Sequence, residues 1–174
     1  VIDNGSGPQG PNNQAGAGMD NNIGGSELMS GLIGGTQTYN AAILEFDIIP
    51  TCDELQIRFV FGSEEYPEYV NAGFNDAFGF FISGTDPGGG NYNNTNVALL
   101  PDGVTIVSID NVNAGVNAAY YIDNSAGQTN VFDAFTTVLT SDVSVIPCET
   151  YHFKLAIADA GDGIYDSGVF VDFL

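Results

Sequence analysis

The sequence predicts a single all-β domain, an antiparallel β-sandwich of jelly-roll type with long acidic and Gly/Asn-rich loops. Three observations lead there. Apolar and polar residues alternate over many short runs, no run sustains a 3.6-residue period, and clusters of Gly, Pro and Asn separate the runs at the spacing of sandwich turns. Residues 1–38 read as a Gly/Asn-rich loop region and residues 39–174 as the core strands.

Within residues 1–38 the only sustained apolar stretch is Leu28-Met29-Ser30-Gly31-Leu32-Ile33, which reads as part of an ordered loop leading into the first strand. From Ala42 to Ile48 the pattern alternates, with Leu44, Phe46 and Ile48 on one face and Glu45 and Asp47 on the other. The same period recurs at 55–61, 77–82, 97–100, 104–109, 132–139, 151–157 and 168–173. Turn signals such as Pro87-Gly88-Gly89-Gly90, Pro101-Asp102-Gly103 and Asn124-Ser125-Ala126-Gly127 fall between these runs. Two segments echo one another: Cys52 and Cys148 each open an alternating strand with one outward cation, Arg58 or Lys154, and each strand runs into an acidic loop.

Charge narrows the function. The chain has 22 Asp and Glu against only Arg58 and Lys154, a formal net charge of −20, which argues against nucleic acid or an anionic membrane surface as partner. No apolar run approaches the roughly 18 residues of a membrane span, so direct membrane insertion is not expected. A compact body of this charge repels itself unless cations condense on it. Ca²⁺ is the expected cofactor, because carboxylate and amide oxygens are the hard ligands it takes. A solvated acidic surface suited to a saline habitat is the alternative.

Cys52 and Cys148, each just before a strand, predict one disulfide, with two unpaired thiols as the alternative. Such a bond would start the two strands together and bring their following loops, 62–68 and 159–167, to one end of the sandwich. Carboxylates crowded there would repel unless a cation lay between them. The predicted metal ligands are Glu64, Glu65, Asp159, Asp162 and Asp166, with Asn75 and Asp76 from a third loop. The spacing Asp159-x-x-Asp162-Gly163-x-x-Asp166 is not that of an EF-hand. Asp and Gly are also ordinary turn formers, which is the bland reading of each loop.

Tyr66, Tyr69, Tyr92 and Tyr165 are candidate contacts to a glycan or cell-surface ligand, or plain loop packing. Catalysis is not expected. His152, the only histidine, falls on an outward strand face, and Glu64-Glu65 with Asp159 or Asp162 offers at most a glycosidase-like carboxylate pair.

The segments 59–68 (Phe-Val-Phe-Gly-Ser-Glu-Glu-Tyr-Pro-Glu), 74–81 (Phe-Asn-Asp-Ala-Phe-Gly-Phe-Phe), 97–103 and 148–162 resemble the choice-of-anchor L domain family, in the family's order, over roughly residues 30–171. The resemblance implies an exported module of large bacterial surface proteins, mainly from Bacteroidota, in an extracellular, adhesin-like setting. Family members usually carry further strand-forming sequence ahead of the Gly/Asn-rich region. This sequence opens on that region, so either it is a fragment or a sheet edge is completed by another segment; a neighbouring copy's strand could fill such an edge, giving a homopolymer or filament subunit as the alternative to adhesion.

Overall fold

In the computed structural model, which describes residues 2–3 and 9–173, the alternating runs become strands of two antiparallel sheets facing one another. The first sheet runs β1 (Ile2–Asp3), β11 (Ser167–Phe173), β3 (Glu54–Ser63), β8 (Ala134–Thr136), β7 (Tyr121–Asp123), and β9 (Leu139–Ser144) pairs the first half of β3. The second runs β2 (Thr38–Ile48), β10 (Tyr151–Ala160), β4 (Ala77–Thr85), β5 (Asn91–Asn96), and β6 (Val107–Ser108) pairs the start of β4. Among the described residues no helix is long and apolar enough to cross a membrane.

The core forms where the alternation points inward. Ile57, Phe59 and Phe61 of β3 meet Phe78, Phe80 and Ile82 of β4 and Phe153, Leu155 and Ile157 of β10, all buried. Phe59 lies 5.2 Å from Phe78, and Phe80 stacks on Phe153 at 5.1 Å. Each such ring contributes on the order of 2–3 kcal/mol by leaving water.

The stretch expected as loop at 28–33 is instead a short helix, α1 (Glu27–Leu32), whose start is capped by Ser26 Oγ accepting from Met29 N at 3.4 Å. It lies on the outer face of the second sheet, where Met29 is buried with Ala77, Phe81, Ala156 and Ala158. Small residues let it approach. A Cβ on Gly79 would stand 2.4 Å from the Phe81 ring and 3.2 Å from Leu32. The helix covers the far half of β10, so alternation gives way there to burial on both faces from Leu155 to Ala160.

Other expectations need revision at the margins. β5, Asn-Tyr-Asn-Asn-Thr-Asn, has a single core-packing residue and β7 is three residues long, so neither shows a run of alternation. The run at 97–100 makes only the bridge Leu99↔Ile106, 104–109 shrinks to β6, and 132–139 breaks into β8 and the start of β9. On β2, Ala42, Phe46 and Ile48 pack against the core, whereas Leu44, on the same face, remains exposed.

The cysteine-bearing turns do lie side by side, with Cys148 N donating to Pro50 O at 2.8 Å and Val145 N to Asp53 O at 2.9 Å. Both thiols are nevertheless free and exposed, and Cys52 Sγ is turned to Glu54 O at 3.0 Å. The expected disulfide is therefore corrected to two thiols. Strand pairing fixes the relation of the loops instead: β11 pairs with β3 as far as Ser167↔Ser63, and β10 pairs with β4 as far as Ala158↔Ala77.

Candidate functional site

Those two pairings gather the predicted acidic residues at one end of the sandwich. Glu64 and Glu65 follow β3, Asp76 precedes β4, Asp159 sits near the end of β10, and Asp162 and Asp166 lie in the turn between β10 and β11. Backbone and side-chain bonds tie the segments together. Glu64 N donates to Asp166 O at 3.0 Å, Ala160 N to Asp76 Oδ1 at 2.9 Å, and Ser167 Oγ to Asp76 Oδ2 at 2.7 Å. Asn40 Nδ2, from β2, reaches both Asp159 Oδ2 at 3.2 Å and Gly163 O at 3.1 Å.

The turn itself demands glycine. Gly161 has φ +92°, and a Cβ there would stand 2.5 Å from Gly73 O. Asp162 Oδ1 accepts from Ile164 N at 3.1 Å, which shapes the rest of the turn.

Burial makes this cluster unusual. Glu64, Glu65, Asp76, Asp159 and Asp166 are each no more than 3% exposed. Glu64 Oε1 and Glu65 Oε2 are buried with no hydrogen-bond partner. Burial is the main cause pushing the Glu64 carboxyl from its ordinary 4.5 up to about 8, with Asp133 and Asp166 adding to it against a bond from Ala17 N. Glu65 rises equally to about 8, through burial and the nearby Asp162 and Asp159. Asp76 is raised well above its ordinary value by burial and then by Asp159.

No cationic side chain of the chain relieves this. Arg58 pairs with Asp172 at 3.6 Å and Lys154 with Glu45 at 3.3 Å, both on outer strand faces. His152 sits between Asp47, at 2.8 Å, and Glu45, at 3.4 Å, on the same outer face as Lys154, as expected of a surface residue. Yet among the described residues no three Asp, Glu, His or Cys side chains converge as a ready-made ion cage.

The cluster has two sides. Leaving β3 in succession, Glu64 turns toward Ala17, Asp133 and Asp166, and Glu65 toward Asp159 and Asp162. Of the carboxylates named for a glycosidase-like pair, Glu64, Glu65 and Asp159 are buried and Asp162 is half-buried.

Of the remaining predicted residues, Asn75 has a structural task, its Oδ1 accepting from Asp110 N at 3.0 Å. Tyr66 is corrected from a surface contact to a core residue, fully buried with its hydroxyl donating to Val112 O at 2.6 Å. Tyr92 pairs opposite Gly84 at the other end of β4, on the order of 25 Å of strand away from Asp76. Tyr69 and Tyr165 remain beside the cluster, half-buried, with rings 5.2 Å apart.

Sequence reasoning missed the segment 12–19, which straps this end of the fold. Ala17 N donates to Glu64 Oε2 at 3.0 Å, Met19 N to Asp166 Oδ1 at 3.1 Å, and Asn12 Nδ2 to Asp133 Oδ1 at 2.8 Å. Two of these three bonds use backbone N–H groups, so no side-chain pattern could announce them. Asn40 and Asp133 were missed because each lies in or beside a strand with no acidic run around it.

The family model for the choice-of-anchor L domain matches residues 1–173. No curated protein and no solved structure matches the chain.

Proposed function

The chain belongs to the choice-of-anchor L domain family, a family of cell-surface modules and not a known enzyme family, and from that premise we propose a non-catalytic extracellular module whose acidic end is closed by calcium. The ion would be held by Glu65, Asp159 and Asp162, with Asp76 behind them and loop carbonyls or water completing the shell. One observation carries this reading: Glu65 is buried with an unpartnered oxygen among Asp159 and Asp162, and both cationic side chains of the chain are committed elsewhere. A buried anion without a partner costs several kcal/mol, and either a proton or a cation must offset it. Ca²⁺ fits the donor set, because it accepts six to eight oxygens in flexible geometry and tolerates loop carbonyls and water among them.

Melting the protein in calcium and in excess chelator tests the proposal. A ligand present at about 100 times its dissociation constant and binding only the folded state adds about 2.7 kcal/mol. An unchanged midpoint would overturn the reading, and Glu65→Gln should abolish the part of the response that belongs to this site.

Beyond closing the fold, the module's contact with the outside has two readings. In the first, Tyr69 and Tyr165 beside the acidic loops present ring faces and hydroxyls to a glycan or another cell's surface. In the second, copies join. β2 is an eleven-residue strand at the edge of its sheet, paired with β10 on one side and bridged by Gly24 at Tyr39 on the other, with Ile43 and Leu44 exposed further along. Beside it an apolar cleft of about 240 Å³ opens between the sheets, lined by Phe46, Ile48, Leu55, Ile57, Phe80 and Phe153. A strand from a neighbouring copy could extend the sheet there. Size-exclusion chromatography and electron microscopy separate the two, since an adhesive module remains monomeric alone and a subunit polymerises.

A further inference from the structure

The side of the cluster that Glu64 faces is chemically separate from the side that Glu65 faces, and it adjoins a cavity. A space of about 140 Å³ is lined by Gly16, Glu64, Glu68, Tyr69, Asp133 and Tyr165. It adjoins a larger groove of about 570 Å³ that shares Ala15, Glu68 and Asp133 and runs between the segment 12–15 and the turn at Pro67. Three carboxylates line the smaller space, Glu64 and Glu68 from the loop after β3 and Asp133 from just before β8, and nothing basic lines either one.

Glu64 is the informative member. One of its oxygens, Oε2, accepts from Ala17 N at 3.0 Å; the other, Oε1, is buried and has no partner. Asp133 is half-buried, its Oδ1 accepts from Asn12 Nδ2 at 2.8 Å, and its carboxyl is raised chiefly by burial, with Glu68 contributing. Glu68, four residues on from Glu64, is exposed and lines both spaces. A water molecule takes about 30 Å³ of liquid, so the space admits an ion with several waters.

We propose that Glu64, Asp133 and Glu68 hold a second divalent cation of the calcium class, and that this ion clamps the strap 12–17 onto the end of β3 and the start of β8. The proposal stands independently of the Glu65 site, since the two use different carboxylates on opposite sides of the chain. It also explains the strap. Asn12 and Ala17 each donate one hydrogen bond to a carboxylate of the proposed site, so the ion and the strap reinforce one another. Calcium suits the place better than magnesium, which demands near-ideal octahedral geometry and sheds water reluctantly.

The test is calorimetric titration of the whole chain with calcium chloride, comparing the unaltered protein with Glu64→Gln, Asp133→Asn and Glu65→Gln. The amide of Asp133→Asn retains an oxygen for Asn12, so folding should survive and removal of charge is what is read. The unaltered protein should bind two equivalents. Glu64→Gln and Asp133→Asn should each weaken one of them by about tenfold or more, while Glu65→Gln leaves that one and weakens the other. Calcium-dependent protection of the backbone at 12–19 from hydrogen exchange should persist in Glu65→Gln and disappear in Asp133→Asn. Unchanged stoichiometry and affinity in both Glu64→Gln and Asp133→Asn would overturn the second site and leave the Glu65 site standing. Loss confined to these two variants would do the reverse, and no binding by the unaltered protein would overturn both.

Discussion

Calcium binding should expel protons from this protein, in a number that depends on pH in a defined way. With carboxyls raised to about 8, Glu64 and Glu65 are each about nine-tenths protonated at pH 7 and half protonated at pH 8. An ion binds the ionised form, so filling both sites at pH 7 releases close to two protons, at pH 8 about one, and above about pH 9 almost none. Any proton carried by Asp76 adds to these numbers. The same competition makes binding about tenfold weaker per site at pH 7 than at pH 9, or about 1.4 kcal/mol. The assay is titration calorimetry in buffers of differing ionisation heat, where the slope of apparent enthalpy against that heat counts the protons. Stability follows with a determined sign. Because the folded chain holds these protons more tightly than the unfolded one, the stability they contribute without calcium is full below about pH 4.5 and is lost as pH rises through about 8. After allowing for screening by solvent, the loss is on the order of 3 kcal/mol per carboxyl. Saturating calcium removes that decline. A zero slope at pH 7, or a cation-free melting temperature that does not fall between pH 5 and 8.5, would refute the reasoning from buried, uncompensated carboxylates.

Three further outcomes follow from the geometry. Gly161→Ala places a Cβ at φ +92° and 2.5 Å from Gly73 O, so it should cost about 1–3 kcal/mol in melts and weaken calcium binding at the Glu65 site. Because the β3–β11 and β4–β10 pairings bring the acidic loops together, reductant should leave the calcium response unchanged, checked by melts with and without a thiol. If copies join through the edge of β2, Leu44→Lys should shift the chromatographic profile to monomer with little change in melting temperature, since Leu44 is already exposed.

Much of the fold could be read from the sequence because its central strands alternate cleanly. Phe59, Phe80, Phe153 and Val169 all come from runs whose period pointed inward. What escaped reading lacks that signal. β5, at the edge of its sheet, has only Tyr92 to pack against the core, and α1 is six residues long, too short for a helical period to emerge around Met29. The meeting of the acidic loops was legible, but its cause was misassigned: a covalent link was inferred where β11 laid against β3 does the work. The division of Glu64 from Glu65 was not legible, because adjacent identical residues give no hint that the backbone sends them to opposite sides. Nor was the strap at 12–19, which contributes mainly backbone N–H groups.

The placement of Arg58 and Lys154 on outer faces has a consequence for when this molecule becomes rigid. A protein that brought its own lysine or arginine to the acidic end would close in any compartment. Here the missing positive charge would be supplied by the surroundings, so firmness becomes a property of place. In calcium-poor surroundings the end strap and its neighbouring loops would stay supple, which suits a chain bound for export. They would set once the chain met a medium rich in the ion.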